Sequence, residues 1–198
     1  KNMKKGTIVL LVILALIGIG GCQTCGVQKT LVDQDENVKA TWAEVENQYQ
    51  RRFSLIDNLV ATVKGYAAHE QSTLTAVIEA RAKATQITVN ADDLTPEKIE
   101  QFQAAQGQLS QALGRLMMVQ EQYPDLKADQ QFLKLQDELT GTENRIATAR
   151  GRYNVAVQGY NSYLRKFPTN LLGGMLGFQV KGTFKAEEGA STAPKVQF

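Results

Sequence analysis

Cysteine and histidine are scarce in this chain, and each scarcity closes off a class of function. The two cysteines among 198 residues, Cys22 and Cys25, both lie near the N-terminus. No disulfide framework can hold the body together, so its stability must come from packing. The pair also spells C-x-x-C, but no βαβ pattern surrounds it, so a redox role is not expected. The single histidine, His69, begins the zinc-protease pattern H-E-x-x-H with Glu70, yet Thr73 stands where the second His belongs. A metal site would lack its nitrogen ligands. No Ser, Cys or Lys has a base of the triad kind beside it, and no glycine-rich phosphate loop occurs. Adjacent carboxylates are sequence neighbours, Asp92-Asp93, Asp137-Glu138 and Glu187-Glu188, which point different ways. The expectation is a protein without catalytic residues, metal or cofactor, and not an enzyme.

Acidic residues are missing altogether before Asp33. Residues 1–29 hold four of the 22 Lys and Arg (Lys1, Lys4, Lys5, Lys29) and none of the 20 Asp and Glu, so the remainder carries 18 positive and 20 negative side chains. The pI of 8.5 therefore comes from the N-terminus. A nucleic-acid partner would want clustered Lys and Arg, and none is expected here.

An apolar run, Ile8 to Ile19, follows Lys1, Lys4 and Lys5. Extended over 7–27, it matches the length that crosses a hydrocarbon core of about 30 Å. The lysines predict a short cytoplasmic N-terminus (1–6), a single pass through the bacterial cell membrane and an external or periplasmic remainder. The alternative is a lipoprotein signal, because Ile19-Gly20-Gly21-Cys22 resembles a lipobox. Cleavage before Cys22 and acylation of that residue would leave a lipid-anchored envelope protein.

From Val38 the apolar positions Trp42, Val45, Tyr49, Ile56, Leu59, Val63 and Tyr66 step by three, four and seven, a heptad seam that Leu74 and Val77 continue towards Ala84. Residues 86–93 break it. Thr95-Pro96-Glu97 opens a second helix, with a capping hydroxyl, a proline suited to the first turn and an acid at the positive end of the dipole. Its seam is Ile99, Phe102, Leu109, Leu113, Leu116 and Tyr123, and Pro124 ends it. A third helix is predicted from Asp125 to Phe167, with Phe132, Leu135, Leu139, Ile146, Ala149, Tyr153, Ala156, Tyr160, Tyr163 and Phe167 on its seam. The fold class is all-α: an elongated, antiparallel, up-and-down bundle of three to four long helices over 30–168, plus the N-terminal transmembrane helix. Helices of about 80, 40 and 60 Å leave the membrane-proximal part of the first uncovered by the second, to pack only on the third or on another copy, and the latter argues for self-association. Residues 169–184 form an apolar, glycine-rich segment expected to pack on the bundle or at a subunit contact, and 185–198 read as a disordered tail.

Three stretches together resemble the LemA family: QYQRRFSLIDNLVATVKGYAAHE (Gln48 to Glu70), EQYPDLKADQQFLKLQDELTGTENRIATARGRYN (Glu121 to Asn154) and FPTNLLGGMLGF (Phe167 to Phe178). The likeness covers the chain from the anchor to Phe184. It implies a bacterial membrane protein with one N-terminal helix and an external helical bundle, but no particular mechanism. Members usually carry Tyr-Asn soon after the membrane helix, where this chain has Gln28-Lys29, and usually lack cysteine before it.

Polar residues near the seams are the remaining candidates. Arg52 fills a seam position and is expected to pair with Glu138 or Glu143 as a register-setting contact; a partner's carboxylate or a lipid phosphate is the other reading. The densest polar cluster is Glu143-Asn144-Arg145 with Arg150, Tyr153 and Asn154. Arg51, Arg52, Asn58, His69, Asn144 and Arg145 are the expected interaction surface. These features together predict a non-enzymatic, membrane-anchored scaffold of the cell envelope, a homo-oligomer that acts by binding an unknown protein partner. A membrane-remodelling protein is one alternative, although it predicts a basic concave face that the near-neutral body opposes. An accessory subunit of a membrane protease is another.

Overall fold

The computed structural model describes residues 5–67 and 69–186, with side chains from residue 26 onwards. All regular structure among the described residues is helical. Helix α1 (Lys5–Tyr66) is followed by α2 (Gln71–Gln86), α3 (Pro96–Val119), the short α4 (Pro124–Ala128), α5 (Gln130–Leu164) and α6 (Thr169–Met175). Most of the predicted 7–27 span, including Cys22, falls on residues whose side chains lie outside the description, which begins at Gly26. Among the described residues no helix is long and apolar enough to cross a membrane.

Helix α1 packs chiefly along α5, and α2 along α3. Ion pairs give the directions. Glu44 meets Arg152 and Arg52 meets Glu143, so α1 and α5 are antiparallel. Asp57 meets Arg81, so α2 runs back along α1. The seam residues Trp42, Val45, Tyr49, Ile56, Leu59 and Val63 are buried, as are Ile99, Phe102, Leu109, Phe132, Leu139, Ile146, Tyr153 and Tyr160. The core divides into two clusters. One lies around Ile56, Leu116 and Phe132, the other around Trp42, Phe102, Tyr153 and Phe184.

Two expectations need correction. The first helix does not run on to Ala84. It stops at Tyr66, the chain turns through Ala67–Glu70, and α2 begins at Gln71. No proline marks the turn. Its support is tertiary: the Tyr66 hydroxyl donates to Asp129 at 2.9 Å and the Tyr123 hydroxyl to Glu70 at 3.1 Å. The third helix is likewise interrupted. Asp129, in extended conformation, accepts the Phe132 N–H at 2.7 Å and starts α5 afresh after the one-turn α4. Helix α5 then ends at Leu164, short of Phe167. Helix α3, by contrast, opens where expected, with Thr95 accepting from the Lys98 N–H and Pro96 in the first turn.

In the membrane-proximal part of α1, Val27 and Leu31 are buried by neighbours from the same chain, among them Leu164 and Leu172. Helix α6 makes this cover. A β-carbon on Gly173 would overlap Leu164 Cδ1 and stand in ordinary contact, 3.8 Å, with Leu31 Cδ1, so a glycine lets α6 sit close against the end of α5 beside α1. From residue 26 on, this part of α1 is therefore covered by its own chain, by α5 and α6 rather than by the second helix.

Candidate functional site

The chain after α6 runs without regular structure from Phe178 to Ala186, and it is held to the helices almost wholly by side chains. Asn161 donates to the Lys181 carbonyl at 2.8 Å and accepts its N–H at 3.0 Å. Asn154 does the same for Phe184, both at 2.9 Å, and Gln103 of α3 for Lys185, both at 2.9 Å. The Tyr160 hydroxyl donates to the Gln179 carbonyl at 2.9 Å and the Tyr153 hydroxyl to the Gly182 carbonyl at 3.0 Å. One backbone bond joins this strap to the loop before α3, from the Gly182 N–H to the Leu94 carbonyl at 2.8 Å. A β-carbon on Gly182 would lie 2.7 Å from Pro96 Cα, so only glycine fits that crossing.

Two side chains anchor the strap. Phe184 inserts between Trp42, Phe102 and Tyr153, with ring centroids 5.5–6.3 Å away, and Arg150 covers its face at 4.8 Å. The buried Lys181 reaches Asp35 of α1 at 2.7 Å. Burial pushes the Asp35 carboxyl up, but the hydrogen bonds and charges of Lys181 and Lys39 outweigh it and hold the group below its ordinary value. Asp92, then Asp35, raises Lys39. Burial pushes Tyr160 up to about 12, with the Asp35 charge adding to it, and raises Tyr153 further.

Arg52 is buried at 2% exposure. Its Nε lies 2.9 Å from Glu143, and its guanidinium donates to Ser110 Oγ at 2.6 Å, so it joins α1, α3 and α5. The other proposed surface residues scatter. Arg51 is exposed, 3.7 Å from Glu138; Asn58 is exposed; His69 lies exposed in the turn between α1 and α2. Asn144 and Arg145 are exposed on α5, where Arg145 donates to Thr142 at 2.9 Å. Arg52, Asn144 and Arg145 share the neighbourhood of Glu143, whereas Asn58 and His69 stand apart along the molecule.

Gln103, Asn161, Lys181 and Asp35 were not among the sequence candidates. The signal that would have found the ladder is the repeat Tyr153-Asn154 and Tyr160-Asn161, an amide beside each seam tyrosine at heptad spacing. Two depressions flank the strap. One of about 340 Å³ is lined by Asp35, Asp92, Asp93, Thr95 and Lys181, and a groove of about 610 Å³ by Tyr49, Arg52, Gln106, Ser110, Glu143 and Lys185. Among the described residues no group of three His, Cys, Asp or Glu is arranged to hold a metal ion. What the arrangement does chemically is to grip an extended backbone, through its amides and carbonyls, along a rigid helical face.

Four exposed apolar residues group at α6, while others, such as Ile78, Met118 and Val155, lie elsewhere on the helices. Phe167 (80%), Leu171 (61%), Met175 (85%) and Leu176 (42%) face outward, while Gly173 is buried and Leu172 packs against the core.

A sequence model of the LemA family matches residues 41–198. Two magnetosome proteins of Paramagnetospirillum magneticum, MamQ 1 and MamQ 2, are each 29% identical over 182 residues, covering 82% of this chain and 66% of their own length. Protein LemA of Metamycoplasma hominis is 25% identical over 179 residues, covering 90% of this chain and 78% of that protein. The chain thus spans just under two thirds of the length of the two MamQ proteins.

Proposed function

The chain belongs to the LemA family, and from that premise we propose that it is a non-enzymatic, membrane-anchored scaffold that works by protein–protein binding. The observation that carries this reading is α1. It is one helix of 62 residues, about 93 Å long, and its first third in sequence is the apolar run with lysines before it. An anchor and a packed body on one unbroken helix make a stiff stalk. Either a membrane-spanning segment or an acylated Cys22 would fix that stalk to the bilayer, with the body outside. The relatives are named as magnetosome proteins and as LemA rather than for a reaction, which agrees with a binding role.

Self-association belongs to the proposal, because copies confined to one bilayer meet at a high effective concentration. The test is made in native membranes. The protein should resist alkaline carbonate extraction, and an amine-reactive cross-linker should yield dimers or larger species of the chain. Release by carbonate would overturn the anchor, and a monomer-only pattern would overturn the self-association.

A further inference from the structure

The exposed apolar face of α6 has a position that says what covers it. Gly173 lies close to Leu31, since a β-carbon on it would stand 3.8 Å from the Leu31 side chain, and Leu31 is only four residues beyond Val27, about 6 Å along α1. It stands nine residues beyond Cys22, about 14 Å. Whether the anchor is a spanning helix ending near Val27 or an acyl chain on Cys22, α6 lies beside the lipid boundary. A helix with its side chains is about 10 Å across, so α6 bridges much of either gap.

Charge agrees with position. Arg165 and Lys166, both exposed, lead into α6, and Lys29 is exposed on α1 close to Leu31. No Asp or Glu occurs between Glu143 and Glu187, so α6 and its own flanks in sequence are basic or neutral. The nearby carboxylates belong to other elements, Asp33 and Asp35 on α1 and Asp92 and Asp93 before α3, and lie beyond Leu31 or in the depression beside Leu176. Apolar side chains flanked by Lys and Arg suit the zone between acyl chains and anionic headgroups.

We propose that α6 is a second membrane contact, with Phe167, Leu171 and Met175 inserted into the bilayer surface and Arg165 and Lys166 on its phosphates. The inference rests on the anchoring reading above. Two contacts, one at α1 and one at α6, set the body's tilt and rotation relative to the bilayer. The α1 stalk alone would leave the body free to rotate about its axis.

The test uses the full chain in phosphatidylethanolamine–phosphatidylglycerol vesicles with a photoreactive diazirine on the acyl chain near the glycerol. Labelled residues are mapped by mass spectrometry. Residues 165–176 should take roughly tenfold more label than Met118 and Val155, apolar residues equally exposed elsewhere, as insertion rather than exposure predicts. Replacing Leu171 and Met175 by Ser should remove that label and leave the label on the N-terminal segment. Both residues are exposed, so the fold survives the change. A labelled N-terminal segment with residues 165–176 no brighter than Met118 overturns this inference alone. A chain labelled nowhere overturns the anchoring reading, and the inference with it.

Discussion

Asn154 and Asn161 stand seven residues apart on α5, and each closes on both backbone groups of a single strap residue, Phe184 and Lys181. The match is geometric. Seven helical residues rise about 10.5 Å, and three extended residues span about 10 Å. The strap runs antiparallel to α5, so two helical turns meet three strap residues and the register repeats. Tyr153 and Tyr160 keep the same rule, taking the carbonyls of Gly182 and Gln179.

Replacing Asn154 or Asn161 by Ala should therefore release the strap rather than unfold the molecule. Each change removes two hydrogen bonds, at a cost of about 1–2 kcal/mol. Hydrogen exchange is the measurement. The Lys181 and Phe184 amides should lose protection in either variant, while those of α2 and α3 keep theirs. Loss of protection throughout would show that the strap is part of the global core.

Phe184→Ala should cost more, about 3 kcal/mol, because it leaves a cavity between Trp42, Phe102 and Tyr153. Trp42 is the sole tryptophan and fully buried, so it reports directly. Its emission should shift to the red as water enters. An unshifted spectrum would mean that the neighbouring rings collapse into the space.

The heptad reading located the seams of α1, α3 and α5 because periodic burial is a local property of the chain. It missed what depends on contacts far along the chain. The turn at Ala67–Glu70 has no proline, and it is held by Asp129 and Tyr123, about sixty residues away. Tyr66, counted on the seam, is consequently exposed at the helix end, and Phe167 is exposed for want of a helix at that point. Arg52 pairs with Glu143, a partner that heptad register put within reach. The strap left no periodic trace, since its backbone is held by side chains of other elements. Residues 187–198 of the tail, and the anchor's side chains, lie outside the described residues.

Arg52→Ala should destabilise by about 2 kcal/mol, through lost packing and through a Ser110 and a Glu143 left without the guanidinium. Glu143 is 41% exposed at its side chain, so water screens its share, and Glu143→Gln should cost less than Arg52→Ala. Urea denaturation of both variants and of Arg52→Met decides the matter. If Arg52→Met is as stable as the parent, the charge serves helix register rather than stability.

The pH dependence has opposite signs at the two ends of the scale. The folded Asp35 carboxyl lies below its ordinary value of 3.8, so its contribution is complete above 3.8 and drains away as the pH falls through the folded value. Asp35→Asn should cost about 1–2 kcal/mol near pH 7, with the deficit shrinking as the pH falls below 3.8 and through the folded value. Tyr160 behaves the other way. Its folded value is about 12 against 10.0 for an ordinary tyrosine, so the unfolded chain ionises first and stability falls as the pH rises between them. Tyr160→Phe should flatten that alkaline limb, although it forfeits the bond to Gln179 at every pH. Denaturation midpoints across the full range separate the two groups. An acid limb that Asp35→Asn leaves unchanged would show that the Lys181–Asp35 pair contributes nothing to holding the strap on α1.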